Sequence, residues 1–344
     1  MRRTVLAIIA AAIPFAPAGA AEQTLTVALY GGQWGAALQK CVLDPFTAAT
    51  GVATVPEPGS SLVTMTKLKQ QKDAPTIDVA WMDGGISELA QAEGLTAEIP
   101  EADIADIKQL AKGAVYRDAA GAIFALSTGF YSTGIVYNTS VITTPPESWT
   151  DLWKSEYSGK VTIPSPNNAN GIPFFLTMAQ VNGGNIDNVE PAVDKLRDLS
   201  VALYWDSAGA ADNAFQSGEA VIGALHSANA WGMKDKGLPI AYAVPKEGIP
   251  AADIRVHIVK GSKNLEAARK LAAFTTRKEV SECLSETLYV GPVRADAQLS
   301  AEASARMPWG VSGSVDNLIF MDWKALNAKR EALTQIWNER ILSR

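Results

Sequence analysis

Thr24-Leu25-Thr26-Val27-Ala28-Leu29, running into Tyr30-Gly31-Gly32-Gln33-Trp34, is the stretch on which the fold turns. The first six residues carry the alternation of a strand and the glycines break it. Trp34, Leu38, Val42 and Phe46 then recur at helical spacing. Pro45 predicts a kink or break late in that helix, because a proline ring removes an i−4 hydrogen bond. Working outward, a strand near Val52–Val55, a helix carrying Leu62, Met65 and Leu68, and the run Thr76-Ile77-Asp78-Val79-Ala80-Trp81 complete a βαβαβ series. Such alternation favours a mainly parallel sheet flanked by helices, with ligand groups collected on loops at the strands' carboxyl ends.

After a helix near Ile86–Glu93 the order changes to an extended stretch, Ile123–Asn138, interrupted by Gly129 and Gly134, where a crossing to a second lobe fits. A strand around Lys160–Ile163 and α/β alternation through Ala220–Leu225 would build that lobe. The strand-like Ile254–Val259 suggests a return to the first. Phe320, Trp323, Leu333 and Trp337 read as an amphipathic terminal helix. The expected organisation is an export signal over 1–21, a first lobe over 22–128 plus 256–305, and a second over 129–255 plus 306–344.

The signal reading rests on Arg2 and Arg3, the apolar run Thr4–Pro14 and the small-residue site Ala18-Gly19-Ala20. The run is too short to span a membrane. Cleavage at that site, or export by the twin-arginine route, would place the mature chain in the periplasm. Removing both arginines takes the formal charge from −6 to −8 (−6 − 2), and an acidic chain with no basic cluster does not suit nucleic acid. Cys41 and Cys283 are the chain's two cysteines, and spacing alone leaves a disulfide and two buried thiols equally open.

Catalysis finds little support. Two histidines, His226 and His257, are available to any triad, and Gly310-Val311-Ser312-Gly313-Ser314 lacks nucleophile-elbow spacing. There is no HExxH or CxxC and no GxGxxG, so no cofactor is expected.

Several segments resemble, in order, the polyamine-type extracellular solute-binding proteins of ABC importers, which have the type II periplasmic-binding-protein fold. They are Tyr30–Trp34, Ile77–Trp81, Tyr137-Asn138, Ser148-Trp149-Thr150-Asp151-Leu152-Trp153-Lys154, Phe215–Ala220, Val244-Pro245-Lys246-Glu247-Gly248 and Gly291-Pro292. The resemblance implies two α/β lobes joined by a hinge, a solute held in the cleft, and a membrane permease as partner for a monomeric receptor. A sensory partner stays open. By position it places Gly32, Gln33, Trp34, Trp81, Met82, Asp83, and Phe130 or Tyr131 in the first lobe's face of the cleft. Across from them it places Ser165–Asn170, Trp205, Asp206, Ser207, His226, Ser227, Arg255, Tyr289 and Val290.

An aromatic cleft suits an amine, whose cation is drawn to ring faces and fixed by carboxylates. This chain departs from the polyamine pattern at Ser165-Pro166-Asn167-Asn168-Ala169-Asn170-Gly171, where acids are missing, while Arg255 could clamp a carboxylate. The expected solute therefore bears both an amine and an acid: an amino acid, γ-amino acid or opine-like conjugate, with putrescine or spermidine as the alternative. A ferric-ion receptor is a weaker one, since paired tyrosines are absent near the second crossing. Each residue also has a plainer reading. Trp34 could begin a core stripe, Asp83 and Asp206 could cap helices, and His226 could be a satisfied core histidine. Arg255 could bridge surface carboxylates, Asn170-Gly171 could only cap a helix, and Tyr289 could be a turn aromatic.

Overall fold

The opening stretch forms β1 (Thr24–Tyr30), with Leu25, Val27 and Leu29 buried, in a computed structural model that describes residues 23–310 and 318–343. The export-signal reading of 1–21 lies outside the described residues. β1 pairs in parallel with β2 (Ala53–Gly59) and β3 (Val79–Asp83). Between β1 and β2 the helical run is Gly32–Leu38, a π turn at Gln39–Leu43, and a fresh helix from Asp44 to Thr50 with Pro45 in its first turn. The break predicted from Pro45 is this π turn: restarting the helix puts the proline where no i−4 bond is required of it.

Short strands β4 (Thr96–Ala97) and β5 (Val115–Arg117) precede β6 (Ile123–Asn138), the first crossing strand. The second lobe then contributes β7 (Val161–Pro164), β8 (Val201–Trp205), β9 (Ile222–His226) and β10 (Ile240–Ala243). The second crossing is β11 (Ile249–Val259), and β12 (Leu318–Phe320) adds to it. The main strand order is β2-β1-β3-β11-β6-β9-β7-β8. β6 is antiparallel to β11 through its first half and to β9 through its second, so it carries the chain from one lobe to the other. This is the two-lobe α/β architecture expected.

Gly129 and Gly134 do not interrupt β6; the strand runs through both. They are sites of close approach. A Cβ at Gly129 would come within 2.6 Å of Val290, and one at Gly134 within 2.5 Å of the Tyr242 ring.

Two large apolar clusters lie on either side of the crossing. The first gathers Leu25, Phe46, Trp81, Leu271 and Leu284. The second gathers Trp149, Phe174, Phe175, Ile222 and Trp337. The terminal helix Trp323–Trp337 buries Leu326, Leu333 and Trp337 in the second, while Trp323 packs against both. Phe320, expected on that helix, instead belongs to β12 and stays exposed.

Cys41 and Cys283 form a disulfide across 242 residues of sequence, tying the π turn to the helix Lys278–Leu288 on the first core. The buried-thiol alternative is thereby closed. Replacing both cysteines by serine is expected to lower stability by about 2–5 kcal/mol in urea unfolding, because the cross-link restricts a long loop in the unfolded chain. Among the described residues no helix is long and apolar enough to cross a membrane.

Candidate functional site

A cavity of about 190 Å³ opens where the carboxyl ends of β1, β2 and β3 face those of β7, β8 and β9. Tyr30, Gly31, Gly32, Gln33 and Trp34 line it after β1; Gly59, Ser60 and Ser61 after β2; and Asp83 at the end of β3. The other lobe supplies Asn168–Asn170, Ser207–Gly209, Asp212, His226 and Asn229. Tyr131 and Ile254 of the crossing strands complete the wall. This is the position that open α/β sheets offer, outside the carboxyl ends of strands where the order switches.

Asp83 is the centre of the first lobe's contribution. One carboxylate oxygen accepts from Tyr131 Oη at 2.9 Å and the other from Ser61 Oγ, whose oxygen in turn accepts the Asp83 backbone N–H at 2.9 Å. Asn170 Nδ2 donates to Tyr131 Oη at 2.9 Å, extending the chain of hydrogen bonds across the cleft. Burial raises the Asp83 carboxyl above its ordinary range, and the Ser61 and Tyr131 hydrogen bonds only partly offset this. A buried carboxylate so placed gains from an arriving cation. Asp83 is not the helix cap of its plainer reading; Gly85 opens the following helix and its N–H is taken by Glu88.

The second chain runs from Trp34 Nε1 to Asn229 Oδ1 at 3.0 Å and from Asn229 Nδ2 to both oxygens of Asp212 at 2.9 Å. Burial pushes Asp212 up to about 6. Trp34, Tyr131 and His226 pack edge to face, with centroids 5.5 Å (Trp34–Tyr131), 6.0 Å (Trp34–His226) and 4.9 Å (Tyr131–His226) apart. Trp34 thus belongs both to the cavity wall and to the first core, so its two readings are not exclusive.

His226 and His257 are both held neutral by burial, each lowered to about 3. The unfolded chain takes up these protons below about pH 6.5, which the folded chain refuses until near pH 3. Stability is therefore complete above about pH 6.5 and falls by about 1.4 kcal/mol per unit for each histidine as pH drops toward 3. Asp212, raised to about 6, acts in the opposite sense and returns part of this below pH 6. His257→Gln, outside the cavity, is expected to flatten the acid limb in urea unfolding measured against pH.

Gln33, Trp34, Asp83, Tyr131, Asn170 and His226 are thus brought together, whereas other expected residues lie elsewhere. Trp81 is fully buried, its indole donating to Thr128 Oγ1, and Trp205 is likewise buried with its indole on Ala224 O. Asp206 bonds Ser165 at an outer opening beside Ser60 and Lys67, and Ser207, not Asp206, caps the next helix. Ser227 is buried at the start of its helix without lining the cavity. Tyr289 holds a left-handed backbone (φ 56°) and donates to Asp235.

Arg255 requires the largest correction. Its guanidinium is 1% exposed, binds Asp253 through Nε at 2.9 Å and Glu88 at 2.6 Å, and stacks 3.4 Å from the Tyr116 ring. It bridges the buried Asp253 and the part-exposed Glu88, and is not among the residues that line the cavity. Ser60, Ser61, Asp212 and Asn229, which do line it, were not among the expected residues. The strand-loop-helix pattern that marks Gly31–Trp34 recurs at Gly59-Ser60-Ser61 and could have marked the serines. Asp212 and Asn229 sit inside helices and read as ordinary solvated polar positions.

Residues 42–308 match the family of bacterial extracellular solute-binding proteins. The chain is 29% identical over 276 residues to spermidine/putrescine-binding periplasmic protein 1 of Haemophilus influenzae, covering 77% of this chain and 74% of that one. It is 25% identical over 293 residues to a gamma-aminobutyric acid-binding protein of Pseudomonas aeruginosa, covering 81% and 79%. The crystal structure of an ABC transporter protein from Clostridium perfringens superposes with a TM-score of 0.71 at 25% identity, over 92% of this chain and 99% of that one. A match over more than half its length, on a two-lobe fold with a cavity between the lobes, shows that the chain belongs to the bacterial extracellular solute-binding protein family.

Proposed function

We propose that this protein is the substrate-binding component of an ABC importer, capturing a small amine-bearing organic solute and passing it to a membrane permease. The observation that carries the reading is the cavity's chemistry. Asp83 and Asp212 stand among Tyr30, Trp34 and Tyr131, and no Lys or Arg is among the lining residues. Rings and buried carboxylates favour a cation over an anion. The relatives named for polyamine and γ-aminobutyrate binding, both amines, agree with it.

In this reading residues 1–21 direct export to the periplasm. The mature monomer closes lobe 22–128 plus 256–305 onto lobe 129–255 plus 306–344. A solute touching both Asp83 and the Asn168–Asn170 loop stabilises the closed form and so shifts its population. Titration calorimetry of the mature chain tests the reading, using putrescine, spermidine, γ-aminobutyrate and 5-aminovalerate against amine-free controls such as succinate and glucose. At least one amine binds and the controls do not; binding confined to the controls would sink it.

A diamine is the second reading, favoured by the presence of two carboxylates in the cavity. Both carboxylates already accept hydrogen bonds, Asp212 from Asn229 and Asp83 from Tyr131 and Ser61, and each oxygen keeps a second lone pair for an ammonium.

A further inference from the structure

We propose that Asp235, Tyr289 and Arg306 form a clasp between the lobes that raises affinity for every solute without touching any. The inference rests on the lobe closure in the reading above, not on the chemistry of the solute.

The helix Ser227–Asp235 lies between β9 and β10, both paired to the second half of β6, so it belongs to the second lobe. Its faces divide. Ala230 and Met233 sink into an apolar cluster with Trp205, Phe215 and Leu225. Ala228, Trp231, Gly232 and Asp235 recur at i, i+3, i+4 and i+7, which puts them on one stripe of the helix. That stripe meets the first lobe along its length. Ala228 joins the first core, Gly232 lies against the Gln33 side chain, and Trp231 packs beside Tyr289.

At the end of the helix, Asp235 closes the contact. One carboxylate oxygen accepts from Tyr289 Oη at 2.6 Å and the other from Arg306 Nη1 at 2.5 Å, while Arg306 Nη1 also donates to Tyr289 Oη at 2.8 Å. The guanidinium lies 4.8 Å from the Tyr289 ring and 5.4 Å from the Trp231 ring, so it touches both lobes. Tyr289 follows the helix Lys278–Leu288, whose Val280, Leu284 and Leu288 are in the first core. Arg306 follows the short helix Ala301–Ala305 and pairs with its Glu302 at 2.7 Å; Glu286 of the longer helix holds the cap, Ser300. Arg306 is thereby carried with the first lobe, one residue past the limit of 305 given above.

Tyr289 gives a second sign. Its φ of 56° is one that glycine adopts without steric cost and an aromatic residue rarely takes, and glycine is the usual residue where a helix ends this way. What tyrosine adds is the hydroxyl that reaches Asp235. None of the three residues lines the cavity. Closure makes their contacts and opening breaks them, so they favour the closed form whatever it encloses, and apparent affinity rises with the closed fraction.

Two measurements test this. A dye on each lobe reports closure by single-molecule energy transfer in the free protein, where no solute is needed. Asp235→Asn and Arg306→Gln are each expected to lower the closed-to-open ratio by about 3- to 10-fold, a modest range because Asp235 is 42% exposed and solvent screens the pair. Titration calorimetry with putrescine, spermidine, γ-aminobutyrate and 5-aminovalerate should show a loss that tracks the closed fraction and is the same for every probe that binds. The double variant loses little more than the larger single, because either change opens the same cluster. Urea midpoints of the free variants near that of wild type separate this from damage to the fold. An unchanged closed-to-open ratio in both single variants, or a loss of affinity confined to one probe, would overturn the clasp and leave solute binding standing. Failure of every amine to bind wild-type protein would overturn the amine reading, and the dye measurement would still decide the clasp.

Discussion

Asp83→Asn is expected to weaken binding of the solute's amine by about 100- to 1000-fold while leaving the empty protein at least as stable as wild type. The two halves of the expectation share one cause. The Asp83 carboxyl is buried, and burial raises its pKa, so the empty cavity holds it at a cost that a neutral amide avoids. When an ammonium arrives, that cost is returned as attraction in a site with little water. Removing one partner of a buried, hydrogen-bonded charge pair typically costs 2–5 kcal/mol of binding. Tyr131→Phe should act more weakly, by about 10-fold, since it removes the 2.9 Å hydrogen bond that aims the carboxylate but not the charge. Calorimetry on both variants, with urea unfolding of the free proteins alongside, checks the pattern. Full affinity in Asp83→Asn with a loss of stability would make Asp83 a structural acid instead.

Periodicity placed the βαβαβ series and the two crossings, because these are local patterns, but put Phe320 on the terminal helix when it belongs to β12. The alternation in Thr24–Leu29, the helical stripe from Trp34 and the near-continuous apolar run of β6 each follow from which face is buried. The site divides differently. Gln33, Asp83 and His226 were legible because they stand at or just past strand ends, where the fold gathers ligand groups. Trp81 and Trp205 stand at similar places, yet their rings turn into the cores and their indoles find Thr128 Oγ1 and Ala224 O. A strand end fixes where a side chain begins, not which layer its ring enters. Asp212 and Asn229 depend on how one lobe meets the other, which no local pattern carries.

The pairing between the lobes also joins the two walls of the cavity. Trp34–Asn229–Asp212 and Asp83–Tyr131–Asn170 are two hydrogen-bonded chains that each begin in one lobe and end in the other or on a crossing strand. Each of these groups is fixed by its neighbours. Binding therefore spends little on ordering side chains, and a solute lacking the matching groups leaves buried polar atoms unpaired.

Arg255→Gln is expected to cost about 3–5 kcal/mol of stability, yet leave the solute affinity of the folded protein within a few-fold of wild type. The sequence holds the reason two positions away: Asp253 and Arg255 lie on the same face of one strand, as residues i and i+2 must. Burial opposes the arginine's charge, but Asp253, Tyr116 and Glu88 together hold it above its ordinary value. Without it, Asp253, which is 0% exposed, would remain as a buried charge with no counterion, and Glu88 would lose a partner at the start of its helix. The double variant Asp253→Asn/Arg255→Gln should recover much of the loss, since it removes the orphaned charge as well. Urea unfolding measures the stability terms, and calorimetry at a temperature where the variants stay folded measures the binding. Lost affinity for the amino-acid probes with unchanged stability would return Arg255 to the solute. A stability loss with affinity preserved ties Arg255 to the crossing strand that carries Ile254 into the cavity wall.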